Sequence, residues 1–193
     1  MNTTLTTRCL SALSLLLCSA AAPAATPAAP NAACPATLNH TLLRLQDEKP
    51  QSLCQYSGKV ILAVNTASYC GFTKQYKGLE ALHQKYQSEG LVVLGFPSND
   101  FNQEKGSNKD IAEFCENTFG VKFPMFAASS VRGDQANPFF KQLIAQGAST
   151  PKWNFYKYLI GRDGKLIESY SSMTDPDSRS LVSAIEKSLK ARP

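Results

Sequence analysis

The sequence feature that most constrains the fold is residues 65–73, Asn-Thr-Ala-Ser-Tyr-Cys-Gly-Phe-Thr, which separates two segments of different periodicity. Residues 59–64 before it form an apolar, β-branched run that predicts a buried strand. After it, apolar residues recur every three or four positions on one face of a predicted helix: Phe72, Tyr76, Leu79, Leu82 and Tyr86. That helix ends at Gly90, and residues 91–96 predict a second buried strand. Residues 65–73 are therefore the first turn of a β-α-β unit.

This turn carries one cysteine, Cys70. A strand-to-helix turn places the sulfur at a helix N-terminus, where unpaired backbone N–H groups and the positive end of the dipole favour a thiolate. Because the thiolate is the reactive form of cysteine, Cys70 is the candidate nucleophile. The alternative from this local argument is a buried structural cysteine.

Residues 1–25 have the pattern of a secretory signal peptide. Arg8 is their only charge, a Leu-rich apolar core covers residues 9–17, and Ala-Pro-Ala at residues 22–24 is a suitable cleavage site. The apolar core is far shorter than the roughly 20 residues that span a bilayer, so we expect no stable membrane anchor. We expect an exported protein that resides in the periplasm.

Cys18 offers an alternative, attachment as a lipoprotein, but Leu17 stands where a small residue would be expected. Residues 26–33 are rich in Ala and Pro and predict a disordered spacer. The mature domain is then expected to cover residues 34–193.

Four of the six cysteines lie beyond the predicted signal peptide: Cys34, Cys54, Cys70 and Cys115. Disulfides persist in exported proteins, and four cysteines allow three pairings. Cys34 and Cys54 flank the N-terminal arm, and a structural disulfide between them would clip this arm to the domain. We prefer this interpretation to free or redox-active thiols at these two positions.

The polar loop at residues 98–107 follows the second strand, so it emerges at the same edge of the sheet as the turn that carries the candidate nucleophile. Ser107 and Asp110 resemble a capping box. The helix that they begin carries Cys115 and ends by Gly120.

The C-terminal part predicts a short helix at residues 137–144 and a hairpin of residues 153–160 and 165–170. Asp175 and Pro176 predict the N-cap and first residue of a last helix. The order β-α-β followed by β-β-α is that of a thioredoxin-like domain, an α/β fold with a mixed central β-sheet flanked by helices.

Several function classes lose support from the sequence. The formal net charge is +5, but no Lys/Arg run exists, which argues against nucleic-acid binding. A dithiol oxidoreductase needs a second cysteine three residues after Cys70, where Thr73 stands. The two histidines, His40 and His83, support neither a zinc site nor a Cys–His pair. A lone thiolate suits attack on peroxide, which forms sulfenic acid; a non-catalytic binding or redox-sensing protein is the other class.

Separated motifs along the chain match those of one family. They are residues 65–73, Gly-Phe-Pro-Ser-Asn-Asp-Phe at 95–101, Gln-Glu at 103–104, Phe-Cys at 114–115, Phe-Gly-Val-Lys-Phe-Pro-Met-Phe at 119–126 and Trp-Asn-Phe at 153–155. Over roughly residues 45–189 the chain resembles the glutathione peroxidases. The resemblance implies a thioredoxin-like fold and the reduction of hydroperoxides, with no metal or organic cofactor.

The resemblance assigns the peroxidatic position to Cys70 and the supporting positions to Gln103, Trp153 and Asn154. Their amide and indole N–H groups are donors that do not titrate at neutral pH. If they converge on the sulfur, they stabilise the thiolate and the charge that develops on the leaving oxygen.

Cys115 matches the resolving cysteine of the two-cysteine members, which draw electrons from thioredoxin rather than glutathione. Its helix would have to unwind locally to reach the sulfenic acid; a buried, inert cysteine is the alternative. The expected partners are a hydroperoxide and either a thioredoxin-like protein or glutathione as reductant. The second functional hypothesis is a peroxide sensor or thiol oxidant that passes its disulfide to a partner protein.

The chain also departs from the family pattern. The loop at residues 101–103 is one residue shorter than usual, and Ser98 replaces a common second-strand cysteine. Cys34 and Cys54 lie outside the pattern. The segment between residues 146 and 153 is short, which in the family accompanies monomers rather than tetramers, so we expect a monomer.

Overall fold

The computed structural model describes residue 1, residues 34–104 and residues 106–191; apart from residue 1, the predicted signal peptide and spacer lie outside the described residues. The helices and strands are, in chain order, β1 (Thr41–Leu43), β2 (Pro50–Ser52), β3 (Val60–Thr66), α1 (Gln75–Tyr86), β4 (Leu91–Pro97), α2 (Asn108–Phe119), α3 (Pro138–Ala145), β5 (Lys157–Ile160), β6 (Leu166–Tyr170) and α4 (Arg179–Lys190).

The central sheet has four strands in the order β4-β3-β5-β6. β3 pairs with β4 in parallel, from Val60 opposite Leu91 to Thr66 opposite Pro97. β5 is antiparallel to both β3 and β6. Every residue of β3 and β4 is buried, as expected for a parallel pair that is covered on both faces. The mixed sheet and the β-α-β unit confirm the predicted thioredoxin-like fold.

Two apolar cores lie on opposite faces of the sheet, because alternate residues of a strand point to opposite sides. Val60, Leu62 and Val64 of β3 pack into one core with residues of α1, α2 and α4. Ile61 and Ala63 pack into the other core with residues of α3 and the N-terminal arm. In the described part of the chain, no helix is sufficiently long and apolar to span a membrane.

The last helix begins later than the sequence predicts. α4 starts at Arg179, after Ser178, and not at Asp175 and Pro176. The backbone N–H of Ser178 donates to the Asp175 carbonyl at 3.0 Å, so residues 175–178 form a turn before the helix. The Asp175 carboxylate accepts a hydrogen bond from Nε2 of Gln75 on α1 at 3.1 Å, which is a tertiary contact that the local pattern does not indicate.

The caps of α2 and α3 follow their local signals, whereas the strand predicted at residues 153–160 begins only at Lys157, after a turn that contains the left-handed Phe155. The Ser107–Asp110 capping box begins α2, and Gly120, with a φ of 67°, ends it. Asn137 caps α3 by accepting the backbone N–H of Phe140 at 3.0 Å. These helices begin where their own residues predict, because their caps are satisfied within a few residues.

A disulfide joins Cys34 to Cys54, as predicted, and ties the N-terminal arm to the domain. In this arm β1 pairs antiparallel with β2. Leu38 and Leu53 beside the two cysteines are buried in the core under α3. The bond therefore fixes an arm that contributes apolar side chains to the core.

Replacement of both Cys34 and Cys54 by Ala should lower the unfolding free energy. The bond spans 20 residues, and closing a loop of this size contributes about 3 kcal/mol in the chain-entropy model. Urea unfolding of the variant and of the disulfide-bonded wild type measures the loss. Wild type with its disulfide fully reduced is the matched comparison. Equal stability of variant and wild type would contradict a stabilising role for the disulfide.

Candidate active site

Cys70 lies in a series of turns between β3 and α1. Its side chain is 7% exposed, and its Sγ accepts the backbone N–H of Phe72 at 3.4 Å. The sequence predicts that Phe72 already belongs to the helix, but α1 begins at Gln75. Backbone bonds join residues three apart here, as from Gln75 N–H to the Phe72 carbonyl at 2.8 Å, which is a turn geometry. The N–H group that faces the sulfur therefore belongs to the turn and not to the first helical turn.

Thr73 stands where a dithiol oxidoreductase of this fold would carry its second cysteine. Its Oγ1 accepts the backbone N–H of Cys70 at 3.0 Å and donates to the carbonyl of Ala67 at 2.9 Å. The threonine is buried, so both bonds are shielded from water. Thr73 thus fixes the turn around the thiol instead of supplying a second thiol.

The loop after β4 lies against the residues that precede Cys70. The backbone N–H of Tyr69 donates to the carbonyl of Gln103 at 3.0 Å. The backbone N–H of Ser68 donates to the buried carboxylate of Glu104 at 3.1 Å. The predicted proximity of this loop to the Cys70 turn is therefore present in the structure.

The amides of Gln103 and Asn154 are in direct contact. Nδ2 of Asn154 donates to Oε1 of Gln103 at 3.1 Å. The buried Oδ1 of Asn154 receives no hydrogen bond from any described residue. Trp153 is 39% exposed, and its ring packs on that of Phe101 with centroids 5.4 Å apart. The structure thus brings Gln103, Trp153 and Asn154 together, beside the turn that carries Cys70.

Asn65, at the end of β3, anchors the turn that contains Trp153 and Asn154. Its Nδ2 donates to the Trp153 carbonyl at 3.0 Å, and its Oδ1 accepts the Tyr156 N–H at 2.9 Å. Between these residues, Phe155 has a φ of 65°, in the left-handed region that aromatic residues rarely adopt. The two bonds of Asn65 help to hold this unfavourable backbone conformation.

Two further side chains hold the carbonyls of the same turn. Ser172 Oγ donates to the Asn154 carbonyl at 2.6 Å, and Lys157 Nζ donates to the Phe155 carbonyl at 2.8 Å. Lys157 is fully buried, and burial lowers its pKa to about 8, against the opposing effect of the charge on Asp175. Neither Ser172 nor Lys157 belongs to the sequence motifs that indicate the site. A lysine at the start of the apolar run at residues 157–160 is the signal that could have indicated Lys157.

Cys115 is a free thiol on the inner face of α2, and it is 2% exposed. Burial raises the pKa of Cys115 to about 11, and the charge of Glu104 acts in the same direction. The nearby Tyr76 hydroxyl acts in the opposite direction and lowers the pKa of Cys115. This hydroxyl forms no hydrogen bond of ordinary geometry with any described residue. At neutral pH Cys115 is therefore a protonated thiol inside the apolar core that also contains Cys70.

The arrangement limits the chemistry that it can perform. A thiol that accepts a backbone N–H, in a turn bonded to the loop that carries Gln103, is suited to attack a small electrophile. No second cysteine lies in the same turn to exchange a disulfide directly. Within residues 34–104 and 106–191, no group of His, Cys, Asp or Glu could hold a metal ion. Fold and site thus define a thiol-dependent redox protein on a thioredoxin-like domain.

Comparison with known proteins identifies the family. The family model described as glutathione peroxidase matches residues 39–144, more than half of the chain. The chain belongs to the glutathione peroxidase family, and it is a peroxidase.

Individual relatives agree with this assignment. The chain is 50% identical over 137 residues to the glutathione peroxidase-like peroxiredoxin gpx1 of Schizosaccharomyces pombe, with 68% of this chain and 87% of that protein covered. It is 45% identical over 154 residues to the hydroperoxy fatty acid reductase gpx1 of Synechocystis, which covers 74% of this chain and 90% of that protein. A crystal structure of Trgpx in apo form is similar at a TM-score of 0.65 and 36% identity, which covers 81% of this chain and 97% of that chain.

Lys157→Met should reveal the buried lysine in the pH dependence of stability. Burial lowers the pKa of Lys157 from 10.5 to about 8, so between these values the unfolded chain binds more protons than the folded protein. Stability therefore rises with pH across this window. We expect wild type to gain about 3 kcal/mol of unfolding free energy relative to the variant over the whole window.

Urea unfolding of both proteins at a series of pH values measures this difference. The matched control is Lys165→Met, which removes an exposed lysine from the β5–β6 hairpin. In this control the difference from wild type should stay nearly constant. A difference between wild type and Lys157→Met that does not change with pH would show that burial does not shift the titration of Lys157.

Proposed function

We propose that Cys70 is the peroxidatic cysteine and that the enzyme reduces hydrogen peroxide or organic hydroperoxides. The Cys70 thiolate attacks the terminal oxygen of the hydroperoxide, an S–O bond forms and the O–O bond breaks. The displaced hydroxide or alkoxide takes up a proton and leaves as water or alcohol. Cys70 is oxidised to sulfenic acid while the hydroperoxide is reduced.

The observation that carries this proposal is the contact between the Gln103 and Asn154 amides beside the Cys70 turn, at 3.1 Å. The backbone bond from Tyr69 to Gln103 ties this pair to the residue before the thiol. Together with the indole N–H of Trp153, the amides supply donors that keep their protons at every physiological pH. Such donors stabilise both the thiolate and the oxyanion that leaves.

Cys115 then resolves the sulfenic acid. Its sulfur attacks that of Cys70, the oxygen leaves as water, and a Cys70–Cys115 disulfide forms. Cys115 must first leave the core, because both thiols are buried and unbonded in this structure. The cost is limited, since α2 is a helix of 12 residues that can open locally. While it stays buried and protonated, Cys115 is protected from direct oxidation by peroxide.

The proposed reductant is a thioredoxin-like dithiol protein, with glutathione as the other candidate. Thiol–disulfide exchange with a dithiol would restore both cysteines and pass the oxidation to the reductant. The presence of Cys115 supports this choice, as does the similarity to a relative named a peroxiredoxin. The similarity to a hydroperoxy fatty acid reductase supports organic hydroperoxides among the substrates.

We also propose that the protein is exported to the periplasm and acts there as a monomer. Residues 1–25 support export because they have the pattern of a signal peptide. The disulfide between Cys34 and Cys54 supports it as well, since such bonds persist in oxidising compartments. Its role there would be defence against oxidative stress.

Cys70→Ser should abolish peroxide reduction, because a serine hydroxyl is not ionised at neutral pH. Peroxide consumption with dithiothreitol as a general reductant measures the loss. The double variant that replaces Cys34 and Cys54 by Ala is the control, and it should keep its activity. Substantial activity in Cys70→Ser would refute the assignment. Activity of the wild type with this reductant also distinguishes an enzyme from a sensor that needs a specific partner.

Cys115→Ser should consume one equivalent of hydrogen peroxide and then stop when thioredoxin is the only reductant. The sulfenic acid at Cys70 has no partner in this variant, so the disulfide that thioredoxin reduces cannot form. Intact mass after trapping with dimedone detects the stalled sulfenic acid. Full turnover of the variant with thioredoxin would rule out a resolving role for Cys115.

A further inference from the structure

We propose that Lys157 is a positioning residue for peroxide reduction, holding the Phe155 carbonyl so that Asn154 stays beside Gln103. This inference rests on the function proposed above. Lys157 bonds to the Phe155 carbonyl and is not proposed to contact the reacting atoms. It acts through the backbone of the turn that presents Trp153 and Asn154.

Side-chain hydrogen bonds hold every carbonyl of the turn at residues 153–155. Three successive carbonyls each accept a hydrogen bond from a different buried side chain. The donors are Asn65 to Trp153 at 3.0 Å, Ser172 to Asn154 at 2.6 Å and Lys157 to Phe155 at 2.8 Å. Side chains from β3, from β5 and from the segment after β6 thus converge on one short stretch of backbone.

These bonds maintain a backbone conformation that is unfavourable for Phe155. Phe155 has a φ of 65°. A left-handed conformation at a non-glycine residue persists only where its surroundings enforce it. If the peptide after Phe155 relaxed toward an extended strand, the Asn154 side chain would rotate away from Gln103. The Lys157 bond to the Phe155 carbonyl opposes this relaxation directly.

A lysine at position 157 is unfavourable for the stability of the fold. Lys157 shares its face of β5 with Leu159, which packs in the core under α1 and α4. It is 0% exposed, and a buried ammonium group loses its hydration. An apolar side chain of similar length would fill the same space without that loss. We infer that the position carries a lysine because its amine reaches back to a carbonyl two residues earlier.

The test compares Lys157→Met with wild type in one oxidation of the reduced enzyme. Trp153 is the only tryptophan in the chain, so stopped-flow fluorescence reports on the site itself. Methionine keeps the length of the side chain but removes the donor. We expect the rate constant with hydrogen peroxide to fall by about tenfold or more, because a small misplacement of supporting groups is costly in rate. Thermal stability near neutral pH should not fall in parallel.

Two readouts separate positioning from a general structural effect. The fluorescence emission of Trp153 in the resting Lys157→Met variant should differ from wild type. The pH profile of Cys70 alkylation by iodoacetamide should move to more alkaline pH, because the supporting amides no longer stabilise the thiolate as well. Lys165→Met, which removes an exposed lysine of the adjoining hairpin, should change none of these values.

Lys157→Gln provides a second variant in case Lys157→Met does not fold. Its amide is uncharged and one bond shorter, so we expect a smaller loss of rate in the same direction. A wild-type rate constant and alkylation profile in either folded variant would overturn the inference. If wild-type Cys70 is not oxidised by peroxide at all, the proposed function fails instead. The two failures are therefore distinguishable in one set of measurements.

Discussion

Asn65, the buried residue next to the end of the central strand β3, is hydrogen-bonded through both its backbone and its side chain to the turn of Trp153 and Asn154. Its backbone carbonyl accepts the Phe155 N–H at 2.6 Å, and its side-chain amide bonds to Trp153 and Tyr156. Cys70 lies five residues after Asn65, in the segment that follows β3. Asn65 therefore connects the strand that leads to Cys70 with the turn of Trp153 and Asn154. Because Asn65 is fully buried, its bonds do not compete with water.

Among the described residues, the two free cysteines lie in different environments. Cys70 lies in a turn where a backbone N–H faces its sulfur, whereas Cys115 is held as a protonated thiol on the inner face of α2. The capping box at Ser107 and Asp110 and the left-handed Gly120 satisfy both ends of this helix. The caps give α2 defined ends, and the resolving step proposed above would break the interaction of Cys115 with Tyr76. In that mechanism, peroxide reacts first with Cys70 while Cys115 stays buried.

The sequence predicts well those features that depend on nearby residues. The β-α-β unit, the cap of α2 and the hairpin of β5 and β6 follow from periodicity and capping within short windows. The start of α4 is predicted wrongly: residues 175–178 form a turn, and the Asp175 carboxylate bonds to Gln75, 100 residues earlier in the chain. The resemblance to a family indicates Gln103 and Asn154, and the structure brings them together. It offers no comparable indication for Ser172, whose bond to the Asn154 carbonyl depends entirely on tertiary structure.

Three departures from ordinary protein structure occur within one short turn. Phe155 is left-handed, Lys157 is a buried ammonium group, and the Asn154 Oδ1 lacks a hydrogen bond among the described residues. Each of these features lowers stability when taken alone. In the same sheet, by contrast, β3 and β4 are entirely buried and pair in parallel over their whole length. Unfavourable features that occur together are maintained because the surrounding bonds enforce them, and here the bonds come from Asn65 and Ser172 as well as Lys157. The stability of the sheet thus supports a strained turn beside the proposed site of peroxide reduction.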